Sequence, residues 1–210
     1  MAPHFEREKH LVALLMQRLG RTECHYHDPN APGHESGVDV LAMSNGCRIG
    51  IQVTEVDTGL IKGVARGEEK KLWRISNPGA YAVWAQNDSR IILESIRGAI
   101  SRKVAIANAH TFDQFDDVWL LVSAGIPEMG SIASTLIISL GLHAGALDMA
   151  TLDLLSRSKK YKRAYLHCIL DVERALYSWR RGGRWEKQIQ QDLGDMGLTF
   201  WDFQKLTRNR

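Results

Sequence analysis

Apolar and polar positions follow two different periods along this chain, and the changes of period mark its elements. Residues 4–19, HFEREKHLVALLMQRL, set Phe5, Val12, Leu15, Met16 and Leu19 at helical spacing. That single apolar stripe predicts an amphipathic helix stopped at Gly20. At about 100° per residue, Glu8 falls inside the stripe and Glu6 nearly opposite it. A carboxylate on a core-facing stripe needs a partner or a cation, unless it reaches back to solvent from the first turn. Glu23–His27 reads as a short strand, followed by a loop with Pro29, Pro32 and Gly33. Two β-branched runs, Val38–Met43 and Cys47–Val56, then flank Ser44-Asn45-Gly46. Asn-Gly between such runs predicts a tight hairpin, because both residues tolerate positive φ.

Beyond the hairpin, Thr58–Gly67 is predicted as a glycine-rich loop and 67–75 as a short helix with Glu68 and Glu69 in its first turn. Asn77-Pro78-Gly79 reads as a turn and Ala80–Ala85 as a strand. Ser89 suits the N-cap of a long helix through about Asn108, with Ile92, Ile96, Ile100 and Lys103 on one inward track. Residues 116–126 form a continuous apolar run of the buried-strand type. Residues 134–142 fit either a strand or a buried helical turn. Leu147–Ser158 reads as helix, and 165–172 and 175–180 as strands, the second turning at Gly182-Gly183. The tail from Trp185, with Phe200, Trp201 and Phe203, reads as an amphipathic helix docking on the core or on a second subunit. This order predicts an α/β fold, a mixed β-sheet flanked by helices. The expected division is a core over 1–145 and a C-terminal extension over 146–210 packed on the same domain.

Composition narrows the setting. A chain of 210 residues suits one domain with a real core. No apolar run approaches the roughly 20 residues needed to span a bilayer, and the N-terminus has no apolar stretch of signal-peptide type. Three scattered cysteines, Cys24, Cys47 and Cys168, make no CxxC pair and fit a reducing compartment. A cytoplasmic location and no membrane partner are therefore expected. Charge is uneven: residues 1–150 hold 14 Lys+Arg against 17 Asp+Glu, a net −3, whereas 151–210 hold 13 against 7, a net +6. Such asymmetry suits either a polyanionic partner or a solvated surface. No GxGxxG, P-loop, GxSxG or HExxH motif is present. Cys24, His25, His27 and His34 lack the spacing of structural zinc sites, and on a strand the two neighbouring histidines would point away from Cys24.

The hairpin carries polar groups where a plain core hairpin would not. Asp39 stands in its first strand; Gln52, Thr54 and Glu55 stand near the end of the second. An acid facing polar groups on the next strand can hold Mg²⁺, which takes one or two carboxylates and fills its shell with water and phosphate oxygens.

A helix with an inward Glu, a strand bearing Asp, a tight turn and a strand with polar residues at i and i+2 resembles the PD-(D/E)xK nuclease superfamily. The resemblance spans roughly residues 4–125 and implies a restriction-endonuclease-like core. It also implies Mg²⁺- or Mn²⁺-dependent hydrolysis of phosphodiester bonds in DNA or RNA, with DNA the favoured partner. Glu8 matches the helix acid, Asp39 the strand acid, Gln52 the (D/E) position and Thr54 the lysine position. The resemblance thus implies Asp39 and Gln52 as metal ligands, with Glu55 joining them if a bulge turns it inward. The missing amine would come from Lys70, Lys71 or Lys103. Arg180, Arg181 and Arg184 would hold the nucleic-acid backbone, with Trp179 stacking a base or simply packing. A homodimer is compatible with this reading. The alternative is a nuclease-like fold that has lost catalysis and acts as a nucleic-acid-binding or assembly module.

Overall fold

In the computed structural model, residues 3–30, 36–56, 79–124, 143–168 and 176–188 are described. Helix α1 (Pro3–Arg18) precedes an edge strand β1 (Cys24–His27) and the hairpin β2 (Val40–Ser44) and β3 (Cys47–Glu55). Helix α2 (Gly79–Ala109), strand β4 (Asp117–Ala124) and helix α3 (Ala144–Arg157) follow. Strands β5 (Arg163–Cys168), β6 (Leu176–Arg180) and β7 (Glu186–Gln188) complete a seven-stranded sheet whose spatial order equals its chain order. The sheet is mixed: β3, β4 and β5 run parallel, and the flanking pairs are antiparallel. The α/β class is as expected.

Parallel strands need crossovers, which put helices over their faces and bury the strands on both sides. Ile49 through Val53 of β3 are accordingly all buried. On one face Ile49, Ile51 and Val53 meet Phe5, Val12, Leu15 and Met16 of α1, together with Trp119, Leu121 and Tyr165. On the other, Ile96, Ile100 and Val104 of α2 pack with Leu147 and Leu155 of α3 against Leu120, Val122 and Leu166. Each fully buried aliphatic side chain contributes about 1.5–3 kcal/mol. Asn45 (φ 51°) and Gly46 (φ 77°) turn the hairpin as their sequence predicts.

Three expectations are corrected. Ala80–Ala85 is not a strand but the first part of α2, and Ser89 lies within that helix rather than capping it. A short continuous apolar run fits a buried helix as well as a buried strand, and periodicity alone does not separate them. At Trp185 the chain does not enter a helix: Glu186–Gln188 pairs with β6. The Trp185 indole N–H bonds Thr151 Oγ1 on α3 at 2.9 Å, which turns the backbone back along the sheet edge. The expected elements over 58–78 and 134–142, and the tail from 189, lie outside the described residues.

One row of the α1 face is polar. Ser123 and His167 sit side by side on β4 and β5, each 1% exposed, and among the described residues neither Ser123 Oγ nor either ring nitrogen of His167 has a hydrogen-bond partner. Burial, reinforced by the positive charge of Arg18, holds the imidazole neutral, with its pKa lowered to about 3. The unfolded chain takes up a proton near pH 6.5 while the folded chain does not, so stability falls as pH drops through that range. Urea unfolding at pH 7 and pH 5 is expected to differ by about 2 kcal/mol from this group, and His167→Phe is expected to remove most of that difference. An unchanged pH dependence in the variant contradicts the assignment.

Candidate active site

Asp39 opens β2, and the loop before it is closely fitted. Gly37 has φ +75°, and a Cβ there would lie 2.7 Å from the His110 ring, so only glycine fits. Asn30 clips the loop from outside, donating to the Val38 carbonyl at 3.1 Å and accepting from the Ser36 N–H at 3.0 Å. The Asp39 N–H donates to the Ile51 carbonyl at 3.0 Å, extending the hairpin ladder by one step. The carboxylate is fixed as firmly as the backbone. Asp39 Oδ2 accepts from the Val53 N–H at 2.6 Å and from Lys103 Nζ at 2.6 Å.

Lys103 comes from the inward track of α2, where Ile96 and Ile100 are fully buried. Its stem packs toward the sheet while its ammonium reaches Asp39, and only 16% and 24% of the two side chains remain exposed. Glu8 approaches from α1 on the opposite face and is 8% exposed, so it lies in the stripe as its spacing predicts. Its pKa is raised, first by burial and then by the negative charge of Asp39. A hydrogen bond from His4, 3.0 Å away, and the charge of Lys103 pull the other way. Two carboxylates thus act on each other in a poorly solvated place, and the ammonium of Lys103 bonds one and favours the ionised form of the other.

Gln52 lies directly across from Asp39 but is engaged at both ends. Its amide N–H donates to the Gly37 carbonyl, and its Oε1 accepts from the Tyr161 hydroxyl. Tyr161 is fully buried, and its hydroxyl also lies 3.0 Å from the Lys103 carbonyl. Burial, and secondarily the charge of Asp39, raises its pKa, so it stays a protonated donor. The sequence carries no local signal for the role of Tyr161. That residue sits inside the basic run SRSKKYKR, and only the fold reveals that it points inward.

The remaining candidates do not join this group. Glu55 lies on the α1 face, where Arg7 bonds its carboxylate at 2.6 Å. The β3–β4 register runs unbroken from Ile49 to Glu55, so no bulge turns it inward. Arg180 pairs with Arg163, three strands from β3, and is exposed like Arg184. Arg181 is spent on structure: its guanidinium donates to the carbonyls of Lys159 at 2.7 Å and Tyr161 at 2.8 Å. Trp179 packs, 1% exposed, with its indole N–H on the Gly183 carbonyl at 3.1 Å. Lys70 and Lys71 lie outside the described residues. Thr54 shares the sheet face of Gln52 and carries no charge. Set against protein-family models, curated proteins and solved structures, the chain matches none of them.

The donor set decides what cation the group suits. Among the described residues no cluster of three or more His, Cys, Asp or Glu is placed to hold a metal. Asp39 and Glu8 are two hard oxygen donors, and Asp39 Oδ1 makes no hydrogen bond among the described residues. That fits a cation such as Mg²⁺, which keeps most of its waters. It does not fit a closed zinc cage.

The hydrogen bonds of Gln52 make it a brace. Tyr161→Phe removes the donor to Oε1 and is expected to cost about 1–3 kcal/mol. Gln52→Glu, although nearly isosteric, sets a carboxylate against the Gly37 carbonyl and is expected to cost at least about as much. Urea unfolding measures both, and wild-type stability in either variant contradicts the brace.

Proposed function

We propose that this protein is a nuclease that hydrolyses phosphodiester bonds with a divalent cation, on a restriction-endonuclease-like core. The observation that carries the reading is the 2.6 Å bond from Lys103 to Asp39, with Glu8 closing from the other face. An amine absent from position 54 is thereby available at the acid from the neighbouring helix. The order helix, hairpin, crossover helix, parallel strand also supports it. The substrate is DNA or RNA, with DNA favoured.

Asp39 and Glu8 would hold the cation, which when bound supplies Lewis-acid stabilisation of charge on the phosphate oxygens. The residues around it do the positioning. The Val53 N–H and Lys103 lock one oxygen of Asp39, which leaves Oδ1 as its free donor. Lys103 offsets the repulsion between the two carboxylates and offers N–H donors to a non-bridging phosphate oxygen or to the attacking water. Burial of Glu8 strengthens each of these charge interactions, because solvent screens them less. Gln52 is a brace here and contributes no charge.

The engagement of Gln52 favours a second reading, a nuclease-like fold that binds nucleic acid without cleaving it. The two separate in one assay series. Labelled DNA and RNA are incubated with Mg²⁺ or Mn²⁺ and wild type, Asp39→Ala or Lys103→Met, with circular dichroism to check folding. Hydrolysis by wild type and a loss of about 10²-fold or more in each variant is expected. Cleavage that survives Asp39→Ala, or none by wild type with either cation, overturns the nuclease reading. Binding that is indifferent to EDTA, without cleavage, establishes the second.

A further inference from the structure

The sheet face turned toward α2 is covered unevenly. Helix α2 rests on β3 and β4, and α3 rests on α2, whereas α1 packs on the other face of β1, β2 and β3. On β1, Cys24 and Tyr26 turn toward the α1 core. His25 and His27 therefore project to the α2 side, and both are exposed. Register extends this face in rows. His25 pairs with Met43 and Met43 with Arg48; His27 pairs with Leu41 and Leu41 with Gly50. One step further along β2 comes Asp39, beside Gln52 and Lys103. Met43 and Leu41 are half-buried, and Arg48 is exposed.

These rows make a shelf that ends at the candidate active site and is bounded at Gly50 by the Phe115 ring, 2.9 Å from where a Cβ there would stand. It presents two imidazoles and a guanidinium as N–H donors, with two partly exposed apolar side chains between them. Its acids stand at the margins. Glu23 precedes β1, Asp28 caps the Asn30 N–H at 2.9 Å, and Asp116 holds the Arg48 backbone N–H at 2.7 Å. From the Met43 row to Asp39 is four residues of strand, about 13 Å at the usual rise.

We propose that this shelf, with His25, His27 and Arg48 as its contacts, is the track on which the sugar–phosphate backbone of a polynucleotide is led to Asp39. The inference deepens the nuclease reading and rests on it for the direction of the track. Phosphate oxygens take N–H donors from histidine and arginine without regard to sequence, and such contacts set the register of a strand on the protein. Leu41 and Met43 offer apolar surface to sugars and base faces. The shelf is thus the binding element next to the chemistry, whereas Arg180 lies three strands from β3 and Arg181 is occupied by carbonyls.

The test is fluorescence anisotropy with labelled single-stranded DNA, duplex DNA and RNA in EDTA, so that binding is read without cleavage. The variants are His25→Ala/His27→Ala/Arg48→Ala, Arg48→Lys, and Arg180→Ala/Arg184→Ala, each checked for wild-type thermal unfolding. The triple variant is expected to lose about tenfold in affinity or more, and its salt slope is expected to fall by about one. Arg48→Lys is expected to keep the slope, and the Arg180/Arg184 pair to matter less than the triple. Wild-type affinity in the triple variant, or no binding by wild type at low salt, overturns the track. Cleavage by wild type with undiminished binding by the triple variant rejects the track alone. Binding that depends on the triple without any metal-dependent cleavage rejects the nuclease reading alone.

Discussion

A primary amide inside an apolar layer has to be hydrogen-bonded at both ends, because an unpaired donor or acceptor there costs about 1–3 kcal/mol. Gln52 meets that requirement by joining parts of the chain that are remote in sequence. Its N–H reaches Gly37, in the loop that delivers Asp39, and its carbonyl takes the hydroxyl of Tyr161, from the approach to β5. Tyr161 in turn lies against the Lys103 carbonyl on α2. The loop, strand β3, the long helix and the approach to β5 therefore meet at one side chain. The position of Asp39 relative to Lys103 depends on that junction, and so does the proposed chemistry.

The junction also accounts for glutamine where the resembling pattern carries an acid. The Gly37 carbonyl needs a donor opposite it, and a carboxylate has none to give. Charge is instead concentrated in Asp39 and Glu8, which approach from opposite faces at the end of the hairpin. The pKa of Glu8 is raised first by burial and then by the charge of Asp39, and His4 and Lys103 offset this in part. Glu55, one residue beyond Thr54 and on the other face, is neutralised by Arg7 and takes no part. The alternation of a strand turns Glu55 away from the face that Gln52 and Thr54 share.

The basic residues divide in the same way between structure and surface. Arg181 holds the backbone of residues 159 and 161, and the guanidinium groups of Arg21 and Arg163 each lie over the Trp119 ring, 5.3 Å from its centroid. A formal charge count along the chain does not distinguish these from arginines free to meet a polyanion. The proposed track lies in the first third, where net charge is negative.

Local pattern was enough for much of this protein. Hydrophobic spacing determined α1 and put Glu8 on its buried side; Asn-Gly determined the hairpin; the track through Ile96, Ile100 and Lys103 placed the lysine inward. These are short-range properties, set by the period of a helix or strand and by the φ preferences of a turn. Tertiary structure decided which inward groups meet. It chose Lys103 as the amine beside Asp39, gave Glu55 to Arg7, turned Tyr161 inward from a run of lysines and closed both ends of Gln52. It also joined Ala80–Ala85 to a helix and paired Glu186–Gln188 with a strand, where local pattern favoured the opposite. The physical reason is common to all of these. A side chain's direction is a local matter, but its partner is fixed only when strands and helices far apart in sequence are brought into one register.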